Sequence, residues 1–287
     1  MEKFILLIKY IIIAIVQGIG EILPISSSGH MIIITRILNL TPDLSFEIFL
    51  HFASLIAIIV FFRKRLLELI KDFFLFVFKK IKINDQSSEI EKEKAFIQKK
   101  NFLVCIYLII ATIPAGIAGL LLDDLIEQKL STFLFVGLFL LITALLLFIS
   151  TLIKRNKTLE NMKWYDALII GLFQCVGIFP GISRSGACIV GGASRKLNQS
   201  DAAEFAFLMA IPIMAGSALI KVNNIFTSLI ENKSLIIPYI VSFIVATLMT
   251  FLCLKLIFKH IKKIKMSYFS LYCVLMGIVC IILHFVW

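Results

Sequence analysis

The sequence is short of charged residues. Charged side chains make up 16% of its 287 residues, whereas a soluble protein carries about a quarter. Apolar residues make up 60%, and the mean hydropathy is +1.00. The length alone would permit one or two soluble domains, but a soluble domain has no need of so much apolar surface. The shortage of charge therefore excludes an ordinary soluble enzyme.

The sequence also lacks paired cysteines and a small-residue cleavage site after its first apolar segment. Its six cysteines include no C-x-x-C pair and lie mostly within apolar runs, which argues against a zinc site and against a disulfide framework. We interpret them as small apolar residues on helix surfaces. No small-residue cleavage site follows the apolar residues 4–16, so we expect this segment to be retained and not removed as a signal peptide.

Uncharged apolar runs are what the sequence has in abundance. Residues 102–122, 133–153 and 235–254 contain no charged side chain, and about twenty residues cross roughly 30 Å of hydrocarbon as a helix. Residues 46–62, 203–220 and 268–287 are predicted to cross as well. Backbone groups in lipid must be satisfied within the segment, which favours helices. The predicted fold class is therefore an all-α integral membrane protein.

The formal net charge of +11 lies in the loops between these spans. Basic residues cluster at 63–100, 154–163 and 259–265, and such loops lie on the cytoplasmic side of a membrane. The acidic loop at 123–131 is then external, and both termini are predicted outside. Because no soluble basic domain exists to hold a duplex, we expect no nucleic-acid partner. The basic loops are expected to meet anionic lipid headgroups instead.

Two stretches, at about 4–40 and 167–192, hold polar centres between apolar flanks that are too short to cross alone. Each is predicted to form a re-entrant hairpin of two half-helices, the first entering from outside and the second from the cytoplasm. A shift of 157 positions makes seven of the sixteen residues at 17–32 identical to those at 174–189. A chance match in a Gly- and Ser-rich stretch is the alternative explanation.

The hairpins and the spans together predict a single membrane domain over residues 1–287. It would contain two inverted-topology repeats, at about 1–153 and 164–287, with a cytoplasmic loop at 63–100. Each repeat would consist of one re-entrant hairpin and three transmembrane helices, and the odd number of spans inverts the second copy. Such repeats build polar sites at the membrane midplane.

The first polar motif reads Q-G-I-G-E-I-L-P-I-S-S-S-G-H and begins at Gln17. Gln17 and Glu21 lie four residues apart and share one helix face. Pro24 ends that helix, and the serines after it can cap the next one, whose free N–H groups suit an anion. Ser27 and His30 both belong to the start of that helix and can face one point. An ionisable residue at membrane depth is functional by default; the alternative is that Glu21 and His30 merely pair to hold the hairpin together.

The second motif reads Q-C-V-G-I-F-P-G-I-S-R-S-G-A-C and begins at Gln174. A Pro-Gly pair again breaks a helix, and Ser183 and Ser185 flank Arg184. The guanidinium offers a planar fork that matches phosphate oxygens two at a time; its alternative role is a structural salt bridge to Glu21. The motif is neither a nucleophile elbow nor a phosphate loop. Together the two hairpins supply groups that suit phosphoryl transfer.

The combination of Q-x-x-x-E-x-x-P-I-S-S-S-G-H with P-G-I-S-R-S-G-A resembles the undecaprenyl-diphosphate phosphatase family, also called bacitracin-resistance proteins. The resemblance spans nearly the whole chain. It implies hydrolysis of undecaprenyl diphosphate to undecaprenyl phosphate and inorganic phosphate, which recycles the lipid carrier for peptidoglycan synthesis. It also implies a bacterial plasma-membrane protein whose active site opens to the outer side, and dependence on a divalent cation such as Mg²⁺ or Ca²⁺. A homodimer is one assembly that the sequence allows.

The resemblance also implies roles for individual residues. Glu21 would assist a metal or act as acid and base, and Ser27 or His30 would be the nucleophile while the other activates it. Arg184 would hold the pyrophosphate. The phosphate-binding residues expected beside it are Ser26, Ser28, Gly29, Ser183, Ser185 and Gly186. The metal is expected at Gln17 and Glu21, although an amide at position 17 adds no charge and would weaken metal affinity.

Two other classes of function stay open from the sequence. Inverted repeats with broken helices are typical of carriers, and such a site could flip a prenyl phosphate lipid across the membrane. A purely structural membrane protein is the third reading, but it leaves Arg184 and His30 at membrane depth unexplained.

Overall fold

The computed structural model describes residues 2–40, 44–78, 88–231 and 233–286 of the chain. Within these ranges the chain forms helices and no strand, apart from one isolated bridge between Lys157 and Leu197. The all-α prediction is confirmed. The α-helices are α1 (Glu2–Ile22), α2 (Ser27–Ile37), α3 (Leu44–Val77), α4 (Glu89–Lys129), α5 (Phe133–Thr151), α6 (Trp164–Val176), α7 (Arg184–Ser194), α8 (Gln199–Glu231), α9 (Ile236–His260) and α10 (Met266–Val286).

Seven helices of the described part are long and apolar enough to cross a membrane. They are α1, α3, α4, α5, α8, α9 and α10. The six predicted full spans each fall on one of the last six of these helices. The multi-pass membrane prediction is therefore confirmed by length and composition, and α1 adds a seventh helix of spanning length.

The third and fourth helices are longer than the sequence predicted. Residues 63–77 continue α3 and residues 89–100 begin α4, where a cytoplasmic loop was expected over 63–100; residues 79–87 lie outside the described part. Ser88 caps α4 in a reciprocal pair with Glu91, which starts a helix in polar sequence. Arg65 then joins the extended helices to α8, because its guanidinium donates to Glu204 at 2.9 Å and to Asn101 at 2.8 Å.

The two helix breaks lie at the two polar motifs. The first separates α1 from α2, and Ser26 caps α2 by accepting a hydrogen bond from Gly29 N at 3.2 Å. The second separates α6 from α7, and Ser183 caps α7 by accepting from Gly186 N at 3.1 Å. The Pro and Ser residues of each motif thus end one helix and start the next, as the sequence indicated.

Small residues let the helices approach closely around these breaks. Gly18 of α1 faces α9, where an added Cβ would lie 2.8 Å from Ala246 O, and Gly171 of α6 faces α4, where it would lie 2.4 Å from Ala111 O. Helices α5 and α10 pack against each other, and α5 also contacts α2 and α7 of the hairpins. Because lipid tails are as apolar as the side chains, such close van der Waals packing is a main source of helix association.

Candidate active site

A cavity of about 1180 Å³ enters the helix bundle and ends at both helix breaks. Its mouth lies where α2 ends and α3 begins, where α4 meets α5, and beside the last turn of α10. The polar side chains around this mouth are Thr35, Arg36, Asn39, Ser131, Thr132, Lys221 and His284. The polar side chains at this end of the cavity therefore come from several different helices.

The floor of the cavity is formed by the first turns of α2 and α7. Ser27 and Ser28 line it from α2, and Arg184 and Ser185 line it from α7. The first N–H groups of a helix have no partner within the helix, and the helix dipole adds partial positive charge there. Two helix N-termini therefore meet one cavity, which is an environment that favours an anion.

Glu21 connects the two hairpins at this floor. The residue is 6% exposed, and its Oε1 accepts from the Arg184 guanidinium of α7. Its Oε2 accepts from Ser27 Oγ at 2.9 Å and from Gln17 Nε2 at 3.0 Å. The structure thus brings Glu21, Ser27 and Arg184 together, as both the catalytic and the salt-bridge interpretations of Arg184 require.

His30 is turned away from this cluster. Its Nδ1 lies 2.8 Å from the carbonyl oxygen of Ser26, so Nδ1 carries the proton and donates it. Its Nε2 lies 2.7 Å from the hydroxyl of Tyr272 on α10, and the two rings stack. In a neutral imidazole, Nε2 then accepts from the tyrosine. Both ring nitrogens are engaged, and His30 is not among the described residues that line the cavity.

His51 is the histidine beside Glu21 that sequence reasoning missed. It projects from α3 into the cavity, with Nδ1 at 3.1 Å from Glu21 Oε2 and 3.0 Å from Gln17 Nε2. Its Nε2 lies 3.9 Å from Glu47 Oε1. A signal was available, because His51 is an ionisable residue inside the predicted span 46–62, and such residues are functional candidates.

Several predicted phosphate-binding residues lie in the contact between the hairpins. Ser26 is buried, and its Oγ accepts from Gly181 N at 3.1 Å as well as from Gly29 N. Gly29 packs against Gly181, and Gly186 N donates to the Ser183 cap. Ser28, Ser183 and Ser185 line the cavity. Phosphate binding by Ser26, Gly29 and Gly186 stays a prediction; the Ser26 hydroxyl and the two glycine N–H groups already take part in helix-capping hydrogen bonds.

Gly181 is held where no other residue fits. Its φ is +105°, and an added Cβ would lie 2.6 Å from Val136 O of α5. We expect Gly181→Ala to lower the free energy of unfolding by about 1–3 kcal/mol, because both strain and a backbone clash result. Thermal unfolding in detergent measures this. Gly119→Ala is the matched control, since nothing lies within 4 Å of that position; equal effects of the two changes would contradict the prediction.

Gln17 and Glu21 leave one side-chain oxygen without a hydrogen-bond partner for the expected cation. Gln17 directs its N–H at Glu21, while its Oε1 is buried without a hydrogen-bond partner in the described structure. The second Glu21 oxygen faces the Arg184 guanidinium. No group of three or more His, Cys, Asp or Glu side chains suited to a metal occurs in the described ranges. The donor set therefore does not fit a resident divalent cation held by Gln17 and Glu21.

Comparison with known proteins covers nearly the whole chain. A family model described as "Bacitracin resistance protein BacA" matches residues 10–279. "Undecaprenyl-diphosphatase 2" of Bacillus thuringiensis is 37% identical over 283 residues, which cover 98% of this chain and 99% of the relative. "Undecaprenyl-diphosphatase" of Methanosphaera stadtmanae is 38% identical over 281 residues, with 98% and 99% covered. Both helix breaks lie within the residues that the family model matches.

Proposed function

The chain belongs to the bacitracin resistance protein family, and from this membership we propose that it is an undecaprenyl-diphosphatase. It hydrolyses undecaprenyl diphosphate to undecaprenyl phosphate and inorganic phosphate, and so returns the lipid carrier to cell-wall synthesis. The observation that carries the proposal is the contact of Glu21 with both Ser27 and Arg184 at the floor of an open cavity. Anion-favouring helix N-termini at the same place suit a diphosphate.

The hairpins are the re-entrant parts of two inverted repeats in this proposal. Reciprocal contacts support the symmetry: Gly29 of the first hairpin packs on Gly181 of the second, and Gly186 of the second packs on Pro24 of the first. The shift of 157 positions maps the first pair onto the second pair. Such mutual contacts are what a two-fold axis between equivalent elements produces.

The side-chain contacts that join the two ends of each hairpin agree with the same symmetry. Lys9 Nζ donates to Leu38 O at 2.6 Å in the first hairpin, and Arg195 Nε donates to Asp166 Oδ1 at 2.8 Å in the second. The same shift again relates the two pairs. Helix packing follows it too, because α1 packs on α9 and α6 packs on α4. The repeats then correspond to about residues 1–153 and 164–287.

The cavity faces the outer side of the plasma membrane in this topology. The positive-inside rule places the basic segments 63–100, 154–163 and 259–265 in the cytoplasm. The mouth of the cavity lies at the opposite ends of the helices, beside the α4–α5 junction and the end of α10. Both termini then lie outside. A homodimer stays a prediction, to be checked by mass measurement of the purified protein in detergent.

Ser27 is the nucleophile that the geometry supports. Its Oγ lines the cavity and donates to Glu21. Attack of Oγ on the terminal phosphorus breaks the bridging P–O bond, passes the Ser27 proton to Glu21 and releases undecaprenyl phosphate. Water then attacks the phosphoserine, and inorganic phosphate leaves as Oγ regains its proton. Arg184 and the first-turn N–H groups of α2 and α7 hold the phosphate oxygens.

His30 braces the turn that presents Ser27. Ser26 has a φ of 68°, which is uncommon for a residue other than glycine. The His30 Nδ1–H donates to the carbonyl oxygen of this strained residue, and Tyr272 fixes the other ring nitrogen. For a divalent cation, the diphosphate oxygens of the substrate would supply ligands that the described side chains do not.

The assay that tests this function uses purified protein in detergent without a membrane gradient. We expect release of inorganic phosphate from undecaprenyl diphosphate, whereas a carrier would bind the lipid and release none. Arg184→Ala and His30→Ala should both lower the release. Unchanged release in both variants would end the hydrolytic assignment.

One variant of each residue, Ser27→Ala and His30→Ala, separates the role of Ser27 from that of His30. We expect Ser27→Ala to lower kcat at least about 1,000-fold, because the attacking oxygen is lost. His30→Ala should lower it about 10- to 100-fold, because only the turn loses a brace. Mass spectrometry of the acid-quenched wild type should find the phosphoryl group on Ser27. A phosphohistidine at His30, sought in a base-quenched sample, would reverse the assignment.

A further inference from the structure

The two oxygens of Glu21 have different partners. Oε1 faces the Arg184 guanidinium, whereas Oε2 is surrounded by Ser27, Gln17 and His51. Ser27 and Gln17 are neutral donors. His51 is the one partner besides Arg184, among the described contacts of this carboxylate, that can carry positive charge. The charged groups that surround His51 in turn are Glu21, Glu47 and Arg184.

The function proposed above makes two demands on Arg184. In the structure its guanidinium pairs with Glu21, and during hydrolysis it has to bind phosphate oxygens. A guanidinium that turns to phosphate weakens its pairing with Glu21, and a buried carboxylate that loses a charged partner is costly. Glu21 therefore opposes substrate binding unless another group near its carboxylate replaces Arg184 as its partner.

We propose that His51 is the positioning residue that holds Glu21 when Arg184 turns to the diphosphate. Its Nδ1, at 3.1 Å from Oε2, is already within hydrogen-bond reach of the carboxylate. Its side chain comes from α3, whereas Arg184 belongs to α7, so a turn of the Arg184 side chain leaves His51 beside Glu21. His51 thus acts on phosphate affinity through Glu21 and Arg184, and the inference rests on the proposed function of this site.

A double-mutant cycle on ligand binding tests the coupling. Methylenediphosphonate, a diphosphate that cannot be hydrolysed, is titrated calorimetrically into the purified full-length protein in detergent at fixed pH. We expect His51→Leu to weaken its binding about tenfold, within the usual range of coupling between sites. In a Glu21→Gln background, where no carboxylate needs holding, His51→Leu should change binding less than about twofold. Equal weakening in both backgrounds, or none in either, overturns the proposal.

Two amide variants give a second, independent measurement. Asn places an N–H near the position of the histidine Nδ1, whereas Gln places it near Nε2, which faces Glu47. We expect His51→Asn to bind the probe more tightly than His51→Gln. In hydrolysis, KM should rise in His51→Gln with kcat within about threefold of the wild type. Equal binding by the two variants, or a loss confined to kcat, contradicts the proposal.

The cycle is separable from the test of the function itself. Hydrolysis by the wild-type protein establishes or refutes the diphosphatase, and no His51 variant enters that experiment. An active wild type whose binding cycle shows no coupling through Glu21 rejects only the role of His51.

Discussion

Replacing Arg184 is expected to cause one of the largest losses of activity of any single change in this chain. We expect Arg184→Ala to lower kcat/KM about 1,000-fold or more, because charge that develops on the transferred phosphoryl group loses its cation. Arg184→Lys should still lose about 100-fold, since an ammonium keeps the charge but not the planar fork. Phosphate release from undecaprenyl diphosphate in detergent measures both variants.

Arg195→Lys is the matched control for Arg184→Lys. Arg195 follows the last residue of the same helix, α7, and pairs with the buried Asp166 at 2.8 Å. It resembles Arg184 in being an arginine bound to a buried carboxylate, but it lies outside the cavity lining. We expect its replacement to change kcat/KM less than about twofold. Similar losses in the two lysine variants would mean that α7 is merely destabilised and that Arg184 has no role in the reaction.

The sequence was sufficient to predict the helix breaks and the meeting of Glu21 with Arg184. Pro24 and the serines after it have conformational preferences that act within a few residues, so their effect on the chain can be read locally. The shift of 157 positions then relates two distant segments, which is information that local preference does not contain. The packing of Gly29 on Gly181 agrees with the symmetry that this shift implied.

The sequence was not sufficient to predict which histidine contacts Glu21 in the cavity. His30 stands in a motif, but its orientation depends on the Tyr272 hydroxyl, which is 242 positions away. His51 stands in an apolar helix, and its contact with Glu21 depends on how α3 packs beside α1. The lengths of α3 and α4 were missed for a related reason. Arg65 of α3 donates to Asn101 of α4 and to Glu204 of α8. These tertiary contacts occur where the chain is helical although composition alone indicated a loop.

Replacing Glu21 with glutamine is expected to remove the base of the reaction while the cavity keeps its shape. We expect kcat to fall about 100- to 10,000-fold, because an amide cannot accept the Ser27 proton. The affinity for methylenediphosphonate should rise, since Arg184 no longer has a carboxylate partner that competes with phosphate oxygens. Titration calorimetry and phosphate release measure the two quantities on the same protein.

The matched change at another acidic residue is Glu204→Gln. Glu204 also pairs with an arginine, Arg65 at 2.9 Å, and the sequence repeat relates it to Glu47. It lies outside the cavity lining, so we expect lower thermal stability and a kcat within about twofold of the wild type. Opposite changes in kcat and in affinity for Glu21→Gln distinguish a base from a structural partner of Arg184. If Glu21 only forms a structural salt bridge with Arg184, Glu21→Gln should lower thermal stability, affinity for methylenediphosphonate and kcat together. That outcome would leave Ser27 without a base at the floor of the cavity.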